Sequence, residues 1–245
     1  MDVELLIEHL AADGVALAAA AQHAGWDTPV PATKWDVRQL VTHVGGVHRW
    51  AADIVTTRSP AADTAAGKAV GSGPPDDELL EWYENGHAAL VATLRAAPAD
   101  LECFTFLAAD SCLHFWARRQ AHETAIHRID AEGAAGGPVA SFDATFAQDG
   151  MTEILGGFAR RRSNAPNRAG TVGLDAADGP SWLITLGGER IECGESEDLL
   201  GTDVTIRGLS SDLYLWLWNR PSDAVVDGDQ EIAAVWAQNV RVRWS

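Results

Sequence analysis

The segment CLHFWARRQAHETAIHRIDAE, residues 112–132, gathers side chains that could ligate a metal or move a proton. Read as a helix, it places positions 113, 116, 120, 123, 127 and 130 on one face, because alternating steps of three and four residues follow the helical turn. Those positions hold Leu113, Trp116, Gln120, Glu123, His127 and Asp130, a stripe that starts apolar and turns polar. A buried carboxylate and imidazole one turn apart are costly unless they are paired, hydrogen-bonded or bound to a cation. Glu123 and His127, at i and i+4, can both reach one ion. The same spacing also serves ordinary helix ion pairs, so the pair alone does not decide between the two uses.

His122 and Glu123 begin like the HExxH motif of zinc proteases, but position 126 is Ile126 and the next histidine is His127. Five residues make about 500° of turn, so His122 and His127 diverge by ~140° and a metalloprotease is a poor reading. A third ligand must come from another helix. WDVRQLVTHVGGVHRW, residues 35–50, offers His43 on the stripe Leu40, Val47, Trp50 and Ile54, and His48 on the stripe Val37, Val41, Val44 and Val55. Spacing does not choose between these histidines, and a lone histidine on an apolar face is most often a core residue.

These segments need elements to hold them. The first 165 residues read as helical, with helices near residues 2–24, 35–57, 76–97, 113–135 and 143–162. Residues 59–75, rich in Gly, Pro and Ala, read as a mobile surface loop. Asp76 and Asp77 suit a helix start, where negative charge meets the positive end of the dipole. The fourth helix ends in Gly133, Gly136, Gly137 and Pro138. A linker rich in Asn, Pro and Arg follows residue 162. Beyond it, strands are expected at 171–174, 181–186, 189–193, 203–208 and 240–244, with helices at 211–219 and 232–238. The chain therefore divides into a helical unit, residues 1–165, and a small α+β unit, residues 166–245. A cleft between two such units is a common place for a two-substrate pocket.

Composition narrows the function classes. Of 245 residues, 47% are hydrophobic and 22% charged, which is globular composition. The net charge of −17 repels phosphate backbones and anionic lipid, so neither nucleic acid nor a membrane is an expected partner. Three cysteines, Cys103, Cys112 and Cys193, form no CxxC pair, and reduced thiols in a cytoplasmic protein are the simplest reading. Cys103 and Cys112, in an apolar stretch, are expected to pack in the core. No GxSxG elbow, P-loop or GxGxxG fingerprint is present.

The run W-D-V-R-Q-L-V-T-H-V at residues 35–44, followed by R-R-Q-A-H-E-T-A-I-H-R-I-D-A-E at 118–132, resembles the mycothiol-dependent maleylpyruvate isomerase family. That family belongs to the wider DinB-like metal-binding bundles. The resemblance covers most of the chain and implies a DinB-like up-and-down helical bundle followed by a small sterol-carrier-like α+β domain that closes over the site. It implies a zinc site built from His43, Glu123 and His127, with mycothiol as the thiol cofactor. By that likeness, zinc-bound thiolate adds to a cis-enediketo acid such as maleylpyruvate, and rotation and elimination give the trans isomer. If another group leaves, the site is a thiol S-transferase. Arg220, in LWLWNRPSD, is the candidate fork for a substrate carboxylate. Arg118 and Arg119 are expected to stabilise the bundle or the domain interface, Arg128 and Asp130 to make local ion pairs, and Trp216 and Trp218 to be core or interface aromatics. The rival readings are a non-catalytic small-molecule-binding protein and a metal-dependent hydrolase using bound water.

Overall fold

Helix starts in this protein are written by short polar side chains. In the computed structural model, which describes residues 1–31, 33–137, 140–166 and 168–240, Asp2 accepts from the Leu5 amide and opens α1 (Val3–Ala24). Asp36 and Gln39 form a reciprocal capping box at 2.8 and 3.1 Å, which opens α2 (Val37–Thr57). This cap keeps Trp35 out of the helix expected to begin there. Thr64 caps a single helical turn, α3 (Ala65–Lys68), inside the stretch expected to be a mobile loop. The Trp50 indole donates to the Ala62 carbonyl at 3.0 Å and ties that stretch to α2. α4 (Asp76–Ala96) has no side-chain cap and opens on three acidic residues, Asp76, Asp77 and Glu78. Ser111 accepts from the His114 amide and opens α5 (Cys112–Ala134), the helix that carries the polar stripe.

The chain forms two compact units, Met1–Ala140 and Ser141–Ser245. The sequence reading draws its border at residue 165, in the linker after the fifth expected helix. In the first unit α1 packs most extensively on α5, and α2 on α4. Leu17, Leu40, Val41, Val44, Leu79 and Tyr83 are fully buried between them. Two close approaches require glycine. A Cβ on Gly14 would stand 2.2 Å from the His87 ring, and one on Gly45 would stand 2.3 Å from Trp82.

The second unit opens with α6 (Ala144–Glu153), capped by Asp143 and continued by a wider π-helical turn, Ile154–Phe158, at the Gly156–Gly157 pair. The expected single helix over 143–162 therefore changes form at Ile154. A five-stranded sheet follows: β1 (Gly170–Ala176), β2 (Trp182–Leu186), β3 (Glu192–Glu195), β4 (Val204–Gly208) and β5 (Val225–Gly228), in the order β3-β2-β1-β4-β5. β1 and β4 are parallel and the other neighbours antiparallel. α7 (Ser210–Leu217) and α8 (Gln230–Asn239) complete the unit. β5 was not expected. Its polar burial pattern, with only Val226 half-buried, gives no alternation to read. The strand expected at 240–244 lies, apart from Val240, outside the described residues. Trp216 stacks on Trp236 at 5.9 Å and Trp218 packs edge-on to Tyr214, as core aromatics. Among the described residues no helix is long and apolar enough to cross a membrane.

Two further histidines are buried in the bundle. His48 Nε2 meets Thr124 Oγ1 at 2.8 Å, and His87 Nε2 meets the Leu10 carbonyl at 3.0 Å. Burial lowers both pKa values, that of His48 far below its ordinary value. Both side chains take up protons in the unfolded chain below about pH 6.5, while the folded chain takes them up only at lower pH. Unfolding free energy should therefore fall as pH drops below about 6.5, by up to ~1.4 kcal/mol per pH unit for each group. Urea titrations across that range, on wild type and on His87→Gln, check this; the variant should show the shallower slope.

Candidate metal centre

Two helices converge on one point. His43 lies on α2 one turn past Leu40, with its side chain 16% exposed at the edge of the apolar stripe. Glu123 and His127 lie one turn apart on α5 and are buried. Glu123 Oε1 stands 3.2 Å from His43 Nε2 and 3.2 Å from His127 Nε2. The two imidazoles meet edge to face, with ring centres 5.4 Å apart. One ligand atom from each of the three residues lies within 4.8 Å of the others, and no other such group of three or more is found among the described residues. His48, the alternative on α2, turns instead to Thr124 and lies tilted against the rings of Tyr83 and His87.

The donor set suits a divalent cation. Two imidazole nitrogens and one carboxylate oxygen are a common three-ligand set for zinc, and the edge of a tetrahedron around zinc is about 3.3 Å. The 3.2 Å nitrogen–oxygen separations match that edge. The surroundings orient each donor as well. His127 Nδ1 lies 2.9 Å from Asp130 Oδ2, which holds a proton on Nδ1 and directs Nε2, the atom that would ligate a cation, toward Glu123. Arg119 Nη2 donates to Glu123 Oε2 at 3.3 Å, so the carboxylate offers its other oxygen, Oε1, to the centre.

The electrostatics agree with these contacts. Burial pulls the His127 pKa down, but the Glu123 charge and the hydrogen bonds to Asp130 and Glu123 outweigh it and raise it to about 9. Burial raises the Glu123 pKa, yet His127, His43 and Arg119 together hold it well below the ordinary carboxylate range. The carboxylate is therefore ionised, as a metal ligand must be.

Three contributors were not singled out as site residues from the sequence. The sequence suggests a local ion pair for Asp130 and a bundle-stabilising role for Arg119. Helical spacing could have placed both, since Asp130 is i+3 from His127 and Arg119 is i−4 from Glu123. Trp35 carried no such signal, because it sits before the α2 cap. Its ring centre lies 4.7 Å from that of His43 and 5.8 Å from that of His127, which makes it an aromatic wall over both imidazoles. Arg220 lies in the second unit, where its Nη1 donates to the Trp218 carbonyl at 2.8 Å. Because Asp130 fixes the tautomer of His127, Asp130→Asn should weaken divalent-metal affinity about 10–100-fold without unfolding the bundle. Competition with a chromophoric chelator measures that change.

Residues 7–132 match the family model described as the mycothiol maleylpyruvate isomerase N-terminal domain, and residues 145–234 match that of the MDMPI C-terminal domain. Among solved structures, a mycothiol-dependent maleylpyruvate isomerase superposes with a TM-score of 0.63 at 15% identity, covering 93% of each chain. A histidine-to-alanine mutant of a mycothiol-dependent maleylpyruvate isomerase gives 0.62 at 13% identity, again covering 93% of each. These likenesses concern the fold: a helical bundle followed by a small α+β sheet domain. No curated protein matches the sequence at a significant level.

Proposed function

The chain belongs to the mycothiol maleylpyruvate isomerase family, and from that membership we propose that it is a metal-dependent enzyme that uses a low-molecular-weight thiol, mycothiol, for cis–trans isomerisation of a maleylpyruvate-like acid or for thiol S-transfer. The observation that carries the reading is the convergence of His43 Nε2, Glu123 Oε1 and His127 Nε2 in the bundle. These three side chains would hold the ion, and zinc is the favoured ion for the donor set. When bound, such an ion supplies a Lewis-acidic position that lowers the pKa of a thiol and leaves a place open for it.

The chain's own residues do the rest. Asp130 holds His127 in one tautomer, and Arg119 balances the far oxygen of Glu123. Trp35 covers one side of both imidazoles and limits the approach of water from that side. Isomerisation itself asks little of acid–base groups. A thiol sulfur adds to a carbon conjugated with two carbonyls, the former double bond rotates, and loss of the thiol restores the alkene in its trans form. Arg220 keeps its proposed role as the fork for an anionic substrate group. It directly follows the Trp218–Asn219 turn that ends α7. We place this work in the cytoplasm, in keeping with three free thiols.

Cobalt substitution tests the reading. The cobalt protein should take up about one equivalent, and added thiol should produce a sulfur-to-metal charge-transfer band. Thiol-dependent turnover of a maleylpyruvate-like acid should follow, with Arg220→Lys raising KM and leaving metal content unchanged. A loaded protein that shows no such band with any thiol sinks the thiol-activation reading. Turnover without thiol would favour a hydrolase, and ligand affinity that survives metal removal without turnover would favour a binding protein.

A further inference from the structure

Cys103 and Cys112 were expected in the core, yet both are partly exposed, while Cys193 is buried. The apolar stretch that suggested burial packs its aromatic rings instead: Phe106 meets Phe115 at 4.8 Å and Trp116 at 6.2 Å. Cys112 is the first residue of α5, and Cys103 lies in the connection that leads to it. The Cys112 thiol donates to the Cys103 carbonyl at 3.2 Å, and the Cys103 amide donates to Cys112 Sγ at 3.4 Å. A sulfur in range of both backbone groups of one residue lies beside that residue's Cα. A disulfide needs Cα atoms about 4.4–6.8 Å apart, and a sulfur within 3.2–3.4 Å of the Cys103 backbone sets the two residues side by side.

The residue that follows Cys103 is held at both its backbone groups. The next amide, that of Phe104, donates to the Ser59 carbonyl at 2.7 Å, and the Phe104 carbonyl accepts from the Trp116 indole at 2.9 Å. The connection is thus tied to α2's end and to the second turn of α5. Two cysteines that are tethered side by side and partly exposed are a different object from three scattered ones.

We propose that Cys103 and Cys112 form a dithiol modification site that takes a two-electron oxidant, either a low-molecular-weight disulfide or a hydroperoxide, and closes to an intramolecular disulfide. The site is independent of the metal centre and of the reading given for it. Burial and the neighbouring Cys112 push the Cys103 thiol up to about 11, so Cys103 is the poorer first nucleophile and acts second. With a disulfide RSSR, the Cys112 thiolate attacks one sulfur, the S–S bond breaks, and RS⁻ leaves and is protonated. The Cys103 thiolate, its proton given to water, then attacks Cys112 Sγ and releases the second RS⁻. Two protein thiols are oxidised to one disulfide, and RSSR is reduced to two RSH. With a hydroperoxide, Cys112 takes the terminal oxygen and ROH leaves; Cys103 then displaces hydroxide from the sulfenic acid, which leaves as water. Resolution by Cys103 stops the further, irreversible oxidation of Cys112. Cys193 is an internal control, since burial pushes its thiol up to about 12.

The test treats the full-length protein with oxidised glutathione in one arm and hydrogen peroxide in the other, followed by intact mass and peptide mapping. Both arms should give a loss of two hydrogen atoms, one Cys103–Cys112 cross-linked peptide, full reversal by dithiothreitol, and a single titratable thiol, Cys193, after unfolding. Cross-linking in one arm alone identifies which oxidant class the site takes and still supports the dithiol. Cys103→Ser should stop at one glutathione on Cys112 in the first arm and proceed to sulfinate in the second. The proposal is overturned if the wild-type protein collects separate adducts on Cys103 and Cys112, forms only intermolecular dimers, or reacts no faster at this pair than at Cys193. The wild-type readouts stand even if the serine variant does not fold.

Discussion

Replacing His127 with alanine is expected to cost more than about a hundredfold in divalent-metal affinity and to abolish thiol-dependent turnover. The side chain supplies one of only three converging donors, and Asp130 already aims it. With it gone, His43 and Glu123 remain, and two protein ligands hold zinc weakly. The bundle has reason to persist, because Glu123 Oε2 keeps its contact to Arg119 and Oε1 keeps His43. Metal content by elemental analysis, measured beside circular dichroism, separates loss of the ion from loss of the fold. A His127→Ala protein that folds and still carries one equivalent of metal would remove the centre from consideration. Glu123→Gln is the sharper companion: its size is conserved, its charge is lost, and its amide nitrogen is a poor partner for a cation.

Arg128→Met is expected to destabilise the first unit by about 3–5 kcal/mol. Arg128 Nε stands 2.8 Å from Asp13 Oδ1 on α1, and its Nη1 stands 2.9 Å from Glu132 Oε1 on α5. The side chains are 7%, 13% and 18% exposed, so water screens these charges little. Methionine fills similar space but strands the Asp13 carboxylate at the contact between the two most extensively packed helices. Urea denaturation should show the loss in the midpoint, and Asp13→Asn added to the variant should restore part of it. Additive losses in the double variant would show that the two side chains do not act as a pair.

Both expectations rest on α5, and α5 also shows what the sequence reveals and what it hides. The Glu123–His127 spacing is a local property of a helix, so it is legible directly. The choice of His43 over His48 is not, because both stripes on α2 are apolar and only the partner helix decides which histidine meets a carboxylate. Amphipathic patterning fails on α5 for a related reason. Every residue from 119 to 131 is buried, so no solvent face exists to define the opposite one. Asp130 and Arg119 were visible as charges but not as parts of the centre, since a structural ion pair and an orienting contact look alike in sequence. In the second unit the alternation of Trp182, Ile184 and Leu186 announces β2, and all three are buried. β5 has no such contrast. The pairing of Cys103 with Cys112 is not legible in sequence, because the two are separated by a connection whose path depends on tertiary packing.

The enclosure of α5 has a consequence for how this molecule can change. Removing or adding one residue of that rod ahead of Glu123 would swing everything beyond it by about 100°, carrying carboxylate and imidazole away from α2 together. No outward side is available to absorb the error. Variation in this lineage should therefore run through exchanges of one amino acid for another within the rod, while gains and losses of length gather in the connecting stretches.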